Sequence, residues 1–245
     1  MPRGRCHFAL VLGLQELLER DLPEVGALSG RYLPELVAGS MAPDAMRLLG
    51  KMGKYGSHFY TEDRRETWGK SVSGMFEAHP NLADYQNMDP RDRVLLMGYI
   101  AHLTTDEAFR DEVTIYVHGI EDWRPIIYGL WSYVDELPIN YPGVGGVLDQ
   151  FEGRGEVGFI DRATVSRFVR RARGWAENTD PVVLEQIFLK MIGRPLPDDM
   201  EKHLAENRRR AYAFFDEDIK ARFVDEAIAR GRDEIEKFVS GAYSR

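Results

Sequence analysis

Apolar residues return every three or four positions along nearly the whole chain, and no run of alternating β-branched residues stands between paired turn signals. The pattern predicts an all-α protein. A first helix runs from Cys6 to Leu18, with Phe8, Val11, Leu12 and Leu18 apolar. A second covers Val25 to Val37, interrupted by Gly26, Gly30 and Pro34, before GSMAPD turns the chain between Gly39 and Asp44. Arg47 to Tyr60 carries three glycines and ends in GSHFY, which reads as loop or broken helix. A helix from Glu66 to Ala78 stops at His79-Pro80. Asp89-Pro90 then sets an N-cap aspartate before a proline at the first helical position. This launches a long central helix from Arg91 to Val117, closed by Gly119. Glu121-Asp122 with Pro125 begins the next helix, which reaches Leu137.

Pro138 to Asp161 is rich in glycine and proline and marks a connection. Helices follow at Asp161 to Glu177 and Pro181 to Ile192, with a charged pair or one long helix from Pro197 to Val239. The chain therefore divides into a helical core over 1–137 and a helical C-terminal part over 138–245, packed on the same single domain. The last run alternates charge sign at helical spacing, as a solvated helix with one apolar face does. Trp68, Trp123, Tyr128, Trp131 and Tyr133 recur at helical spacings and read as core.

Composition narrows the class. Of 245 residues, 44% are hydrophobic and 11% aromatic, enough for a sizeable core. The formal net charge is −8, with Lys and Arg interleaved among Asp and Glu instead of gathered into a block. No nucleic-acid partner is expected, because phosphate backbones need concentrated positive surface. Cys6 is the one cysteine, so a disulfide or a thiolate zinc module is excluded and a reducing compartment fits. In MPRGRCHFALVLGLQELLERDL, Gln15, Glu16 and Glu19 arrive before a secretory apolar region is complete. No apolar stretch reaches the roughly 20 residues a bilayer requires. The expectation is a cytoplasmic protein without a transmembrane segment.

Candidate chemistry centres on GYIAHLTTDEAF, where His102 and Asp106 stand four residues apart on the long helix. Positions i and i+4 share a helix face, so both side chains can reach one ion. Imidazole with carboxylate and no thiolate suits zinc, manganese or iron. The plain alternative is a helix-surface or core hydrogen bond for this pair, with Asp44 an ordinary capping aspartate and His58 a half-buried histidine. Helix solvation likewise accounts for Glu107, Asp111 and Glu112, and surface positions for His79 and His203. No phosphate loop, Rossmann glycine pattern, GxSxG or HExxH occurs.

Taken in order, CHFAL with His7, GSMAPD with Asp44, SHFY with His58 and GYIAHLTTDEAF resemble the bacterial zinc-dependent phospholipase C superfamily over residues 6–118. The resemblance implies a phospholipase C/P1 nuclease-like fold in which Asp44, His58, His102 and Asp106 hold one zinc. Asp106 would bridge to a further zinc held also by His7, and His118 with Asp122 would supply a second metal position. It implies one or two zinc ions, with manganese or iron as alternatives, and Asp44 as both ligand and catalytic base. The implied activity is metal-dependent hydrolysis of a phosphate ester, on a small-molecule or lipid substrate. The alternative is a non-catalytic helical metal-binding or structural protein that retains the fold. The secreted enzymes' N-terminal tryptophan ligand has no counterpart here.

Overall fold

The computed structural model describes residues 2–50, 52–60, 69–141 and 143–244. Thirteen α-helices occur among them, with a single hairpin of two-residue strands. Along the chain α1 spans Gly4–Asp21, α2 Pro23–Arg31, α3 Leu33–Gly39, α4 Ala42–Leu48, α5 Lys54–His58, α6 Ser71–Ala78 and α7 Pro90–Glu112. After it come α8 Trp123–Val134, α9 Val144–Asp149, β1 Glu156–Val157, β2 Ile160–Asp161, α10 Arg162–Glu177, α11 Pro181–Met191, α12 Met200–Ala211 and α13 Glu217–Val239. The all-α expectation holds, and no described helix is long and apolar enough to cross a membrane.

The long helix α7 is the axis of the fold. From Val94 to Phe109 every residue is buried, so it is covered on all sides and not amphipathic. It begins as its sequence predicts, with Asp89 accepting from the Arg91 amide and Pro90 in the first turn. It ends at Glu112, five residues short of Val117, because Thr114–Val117 tightens into a 3-10 turn. Around it lie α1, α3, α4, α6 and α13. Phe223, Ala227, Gly231, Ile235 and Phe238 form the one apolar face of α13.

The sequence-based elements are corrected in four places. The helix expected over Val25 to Val37 breaks at Tyr32, where Leu33 and Pro34 start a new helix. GSMAPD is only briefly a turn, since α4 starts at Ala42 and places Asp44 in its first turn. GSHFY closes a short helix, α5, whose last residue is His58. Pro138 to Asp161 holds α9 and the hairpin. Of the helix expected from Glu66, residues 66–68 lie outside the described residues, as does Trp68.

Residues 138–245 share the core of the first half: Val165 and Phe168 of α10 and Ile235 and Phe238 of α13 bury in one cluster with Leu95 and Tyr99. Among the aromatics read as core, Trp123 is instead 49% exposed, and Tyr128, Trp131 and Tyr133 are half-buried. Glu107 is no solvated carboxylate; it is buried and accepts the Ser71 amide at 2.8 Å. Asp111 and Glu112 pair with Arg230 and Arg222 of α13. His79 is half-buried, stacked on Phe159, and His203 leans toward Glu185 at 3.7 Å.

One contact fixes the distance between α3 and α7. A Cβ on Gly98 would stand 2.2 Å from the Leu36 carbonyl oxygen, and one on Gly39 2.2 Å from the Leu95 carbonyl oxygen. Backbone lies against backbone, so neither side can yield by a rotamer change. Gly98→Ala is expected to lower stability by about 1–3 kcal/mol, against the gain of about 1 kcal/mol that alanine gives an unconstrained helix site. Urea unfolding of the two proteins measures it; an alanine variant as stable as the parent would show that the helices can part freely.

Candidate metal centre

Four elements bring their polar side chains to one point. His7 closes the first turn of α1 and Asp44 stands in the first turn of α4. His58 ends α5, where Phe59 takes a left-handed φ of 56° that stops the helix. A non-glycine residue in that region is costly, and Phe59 is held there by packing on Tyr99, His79 and Phe159. His102 and Asp106 lie one turn apart in α7. Two sets of three donors gather, His7 with His102 and Asp106, and Asp44 with His58 and His102, each with its atoms within 4.8 Å of one another.

The carboxylate of Asp106 faces two ways. Its Oδ1 is 3.6 Å from Nε2 of His7, and its Oδ2 is 3.7 Å from Nε2 of His58 and 3.9 Å from Nε2 of His102. Asp44 Oδ1 lies 3.7 Å from Nε2 of His58. The His7 and His102 rings stack at 3.9 Å. All five residues are buried, and only the Asp44 side chain, at 12% exposure, touches the outside.

Backbone and hydroxyl partners orient the imidazoles. The Ser40 carbonyl can only accept, so His102 donates to it from Nδ1 at 2.7 Å, and its neutral ring carries the lone pair on Nε2. The Ser57 hydroxyl stands 2.8 Å from Nδ1 of His58 and also faces the Gly53 and Lys54 carbonyls. With its proton given to a carbonyl, its oxygen accepts from Nδ1 and the His58 Nε2 is bare as well. The Ser57 carbonyl is held in turn by the Tyr99 hydroxyl. In that arrangement the two Nε2 atoms stand 3.3 Å apart, lone pair toward lone pair. Such a pair repels unless something positive lies between.

A divalent ion fits that space. Two nitrogens each about 2.0–2.1 Å from a tetrahedral zinc stand about 3.3 Å from each other. The nitrogen-to-oxygen separations of 3.6–3.9 Å are slightly wider. Nε2 of His7, Oδ1 of Asp44 and both oxygens of Asp106 have no hydrogen-bond partner among the described residues. A buried carboxylate without a partner is costly, and a cation removes the cost. Burial holds the His7 and His58 imidazoles well below the usual histidine range, with His102 the next cause for each, so both stay neutral as donors. Burial likewise pushes the Asp106 carboxyl up.

His118 and Asp122 are not gathered in the same way. Among the described residues neither joins a set of three donors. Asp122 is exposed and binds Arg210 at 2.7 Å. His118 lines a cavity of about 580 Å³ that Asp44 also lines. Arg47 and Lys54 share that wall, and Arg47 reaches Asp44 at 3.4 Å. Sequence reasoning overlooked Ser40 and Ser57, the partners that orient the imidazoles, although both stand inside its quoted motifs. It also passed over Arg47, which follows Asp44 by one helical turn.

These burial effects give the metal-free protein a definite pH response. His7 and His58 are neutral when folded and titrate near 6.5 when unfolded, so below about pH 6.5 the unfolded chain takes up more protons and stability falls. Asp106 and Asp135 work the other way: burial raises both, Asp135 to about 6, and they give stability that is lost as pH rises. Substitution isolates the imidazole part: between about pH 7.5 and about pH 5.5, chelator-treated His58→Gln is expected to lose less stability, or gain more, than chelator-treated wild type. Urea midpoints that respond to pH identically in the two proteins would contradict a neutral buried His58. Comparison of the chain with protein-family models, curated proteins and solved structures finds no match, so what this centre does is argued from its chemistry.

Proposed function

We propose that the protein is a metal-dependent phosphoesterase, distantly related to the zinc-dependent phospholipase C superfamily that its motifs resemble. The observation that carries the reading is a buried three-histidine, two-aspartate cluster that opens through Asp44 alone onto a cavity with Arg47 and Lys54 in its wall. His7, His58, His102, Asp106 and Asp44 would hold the metal, zinc first by the donor set, with manganese or iron as alternatives. When bound, such a cation polarises a phosphoryl oxygen and brings the pKa of coordinated water toward neutrality.

The chain's own residues supply the rest. Arg47 and Lys54 place positive charge where a phosphate group would enter beside Asp44. Asp44 is the general-base candidate, because it alone among the five touches the cavity. The lining also holds Trp123, Ile127, Tyr128, Trp131 and Phe188, an apolar surface that suits the alcohol side of an ester with an apolar arm. The other four candidate ligands are sealed from solvent, which preserves their field against screening.

A second reading is a helical protein that binds metal without turnover. The absence of Asp122 from both donor sets favours it, since its carboxylate pairs with Arg210 instead. Elemental analysis after zinc loading comes first: at least one metal per chain is expected, and less than about 0.2 would end both readings. A panel of phosphodiesters and phosphomonoesters then separates them. Turnover is expected that falls more than about 100-fold in kcat/KM in His102→Ala and in Asp44→Asn. Full metal with no turnover on any ester would leave the binding protein.

A further inference from the structure

The first turn of α1 carries His7, yet its start has no side-chain cap. Asp89, Asp161, Asp180, Asp199 and Asp216 cap α7 and α10 to α13 in the ordinary way. At α1 the N-cap residue is Arg3, and its carbonyl accepts from the His7 amide at 3.4 Å. Its guanidinium goes elsewhere. It pairs with Asp135 Oδ2 at 3.3 Å, at the end of α8, and with Glu185 of α11. It also lies over the rings of Trp131, at 5.6 Å, and Phe188, at 4.6 Å.

Arg5 ties the same turn again, donating to the Asp135 carbonyl at 2.7 Å and the Trp175 carbonyl at 3.1 Å. Gly4 sits so close to Trp175 that a Cβ there would be 2.2 Å from its ring. Side-chain exposure in the cluster is 1% for Arg3, 2% for Asp135 and 0% for Glu185. Buried ion pairs of this kind contribute little stability compared with apolar groups of the same volume; their attested use is to fix one arrangement among several. What this one fixes is the turn beneath His7.

We propose that Arg3 is a positioning residue for the His7 end of the metal centre, its guanidinium clamped by Asp135 and Glu185 so that α8 and α11 set where the His7 imidazole stands. The proposal rests on the metal-centre reading above. It gives the second half of the chain a part in the site, although every gathered donor lies before residue 107. Among the three histidines, His7 is the one whose place depends on the clamp; His102 and His58 are oriented by Ser40 and Ser57.

The test compares full-length wild type with Arg3→Met, Arg3→Lys and Glu185→Gln. Zinc is titrated against a chromophoric chelator, and urea unfolding is followed in parallel. In Arg3→Met, zinc affinity is expected to fall about 10–100-fold, the range seen when a metal ligand loses its orienting partner. The unfolding midpoint should stay near that of wild type. Glu185→Gln should lower the affinity by less, and Arg3→Lys should recover part of the loss. In the metal-free protein, the imidazole NMR signals of His7 should move in Arg3→Met and Glu185→Gln while those of His58 stay. Unchanged zinc affinity, unmoved His7 signals, or His58 signals that move as far as those of His7 would overturn the proposal. A wild type that takes up no zinc would sink the metal-centre reading instead, and the His7 signals would still decide the clamp. If Arg3→Met does not fold, the His7 signals of Glu185→Gln decide it alone.

Discussion

The candidate site hangs on the crossing of α3 and α7 at Gly39 and Gly98. With any side chain at either position the two backbones would stand farther apart. Only because they touch does the Ser40 carbonyl, just past the end of α3, come within 2.7 Å of His102 Nδ1. That bond selects the tautomer and turns the free Nε2 toward His58 and Asp106. A helix contact made of glycine thus becomes an electronic property of an imidazole one turn further along α7. Second-sphere acceptors of this kind commonly set the orientation and basicity of metal-binding histidines.

The second constraint is electrostatic. Helix α7 is surrounded by apolar side chains along most of its length, and Asp106 sits among them at 1% exposure. Its neighbours within 4 Å are the imidazoles of His7, His58 and His102, and the same burial suppresses the charged forms of His7 and His58. A sequence optimised for stability alone would place an apolar residue there, since burying an ionised carboxylate costs far more than packing a leucine. Local conflict with an otherwise consistent core is where function is expected. Tyr99, Ile100 and Leu103 make α7 a good core helix; His102 and Asp106 make it an expensive one unless a cation is held between them.

Much of this is legible in the chain itself, for particular reasons. The start of α7 is written in Asp89-Pro90, and the shared face of His102 and Asp106 follows from 3.6 residues per turn. The order of His7, Asp44, His58 and His102 can be read because each stands in a short run of distinctive residues. Short helices are less legible. The five residues of α5 and seven of α4 are too few to build a periodic signal, and their glycines and prolines read as loop. Glu107 carries no mark of burial in sequence, because its partner is a backbone amide 36 residues away. Trp123 reads as core by spacing, yet it is exposed at the cavity. Asp122 looks like a ligand in sequence and is captured by Arg210, 88 residues later.

The division of the chain at the Pro138 to Asp161 connection is sound as a change of composition and misleading as a division of labour. Every gathered donor lies in the first 106 residues, which makes the remainder look like scaffolding. Two kinds of restraint act on those donors, however. His58 and His102 are set by contacts among α3, α5 and α7, all within the first half. The turn carrying His7 is set by Asp135, Trp175 and Glu185, at sequence separations of 130 residues or more. Loop closure over such distances is entropically costly during folding, so this restraint forms only once α8, α10 and α11 are in place. The His7 end of the cluster is therefore assembled by the completed fold, whereas the His102 end is assembled by its nearest helices.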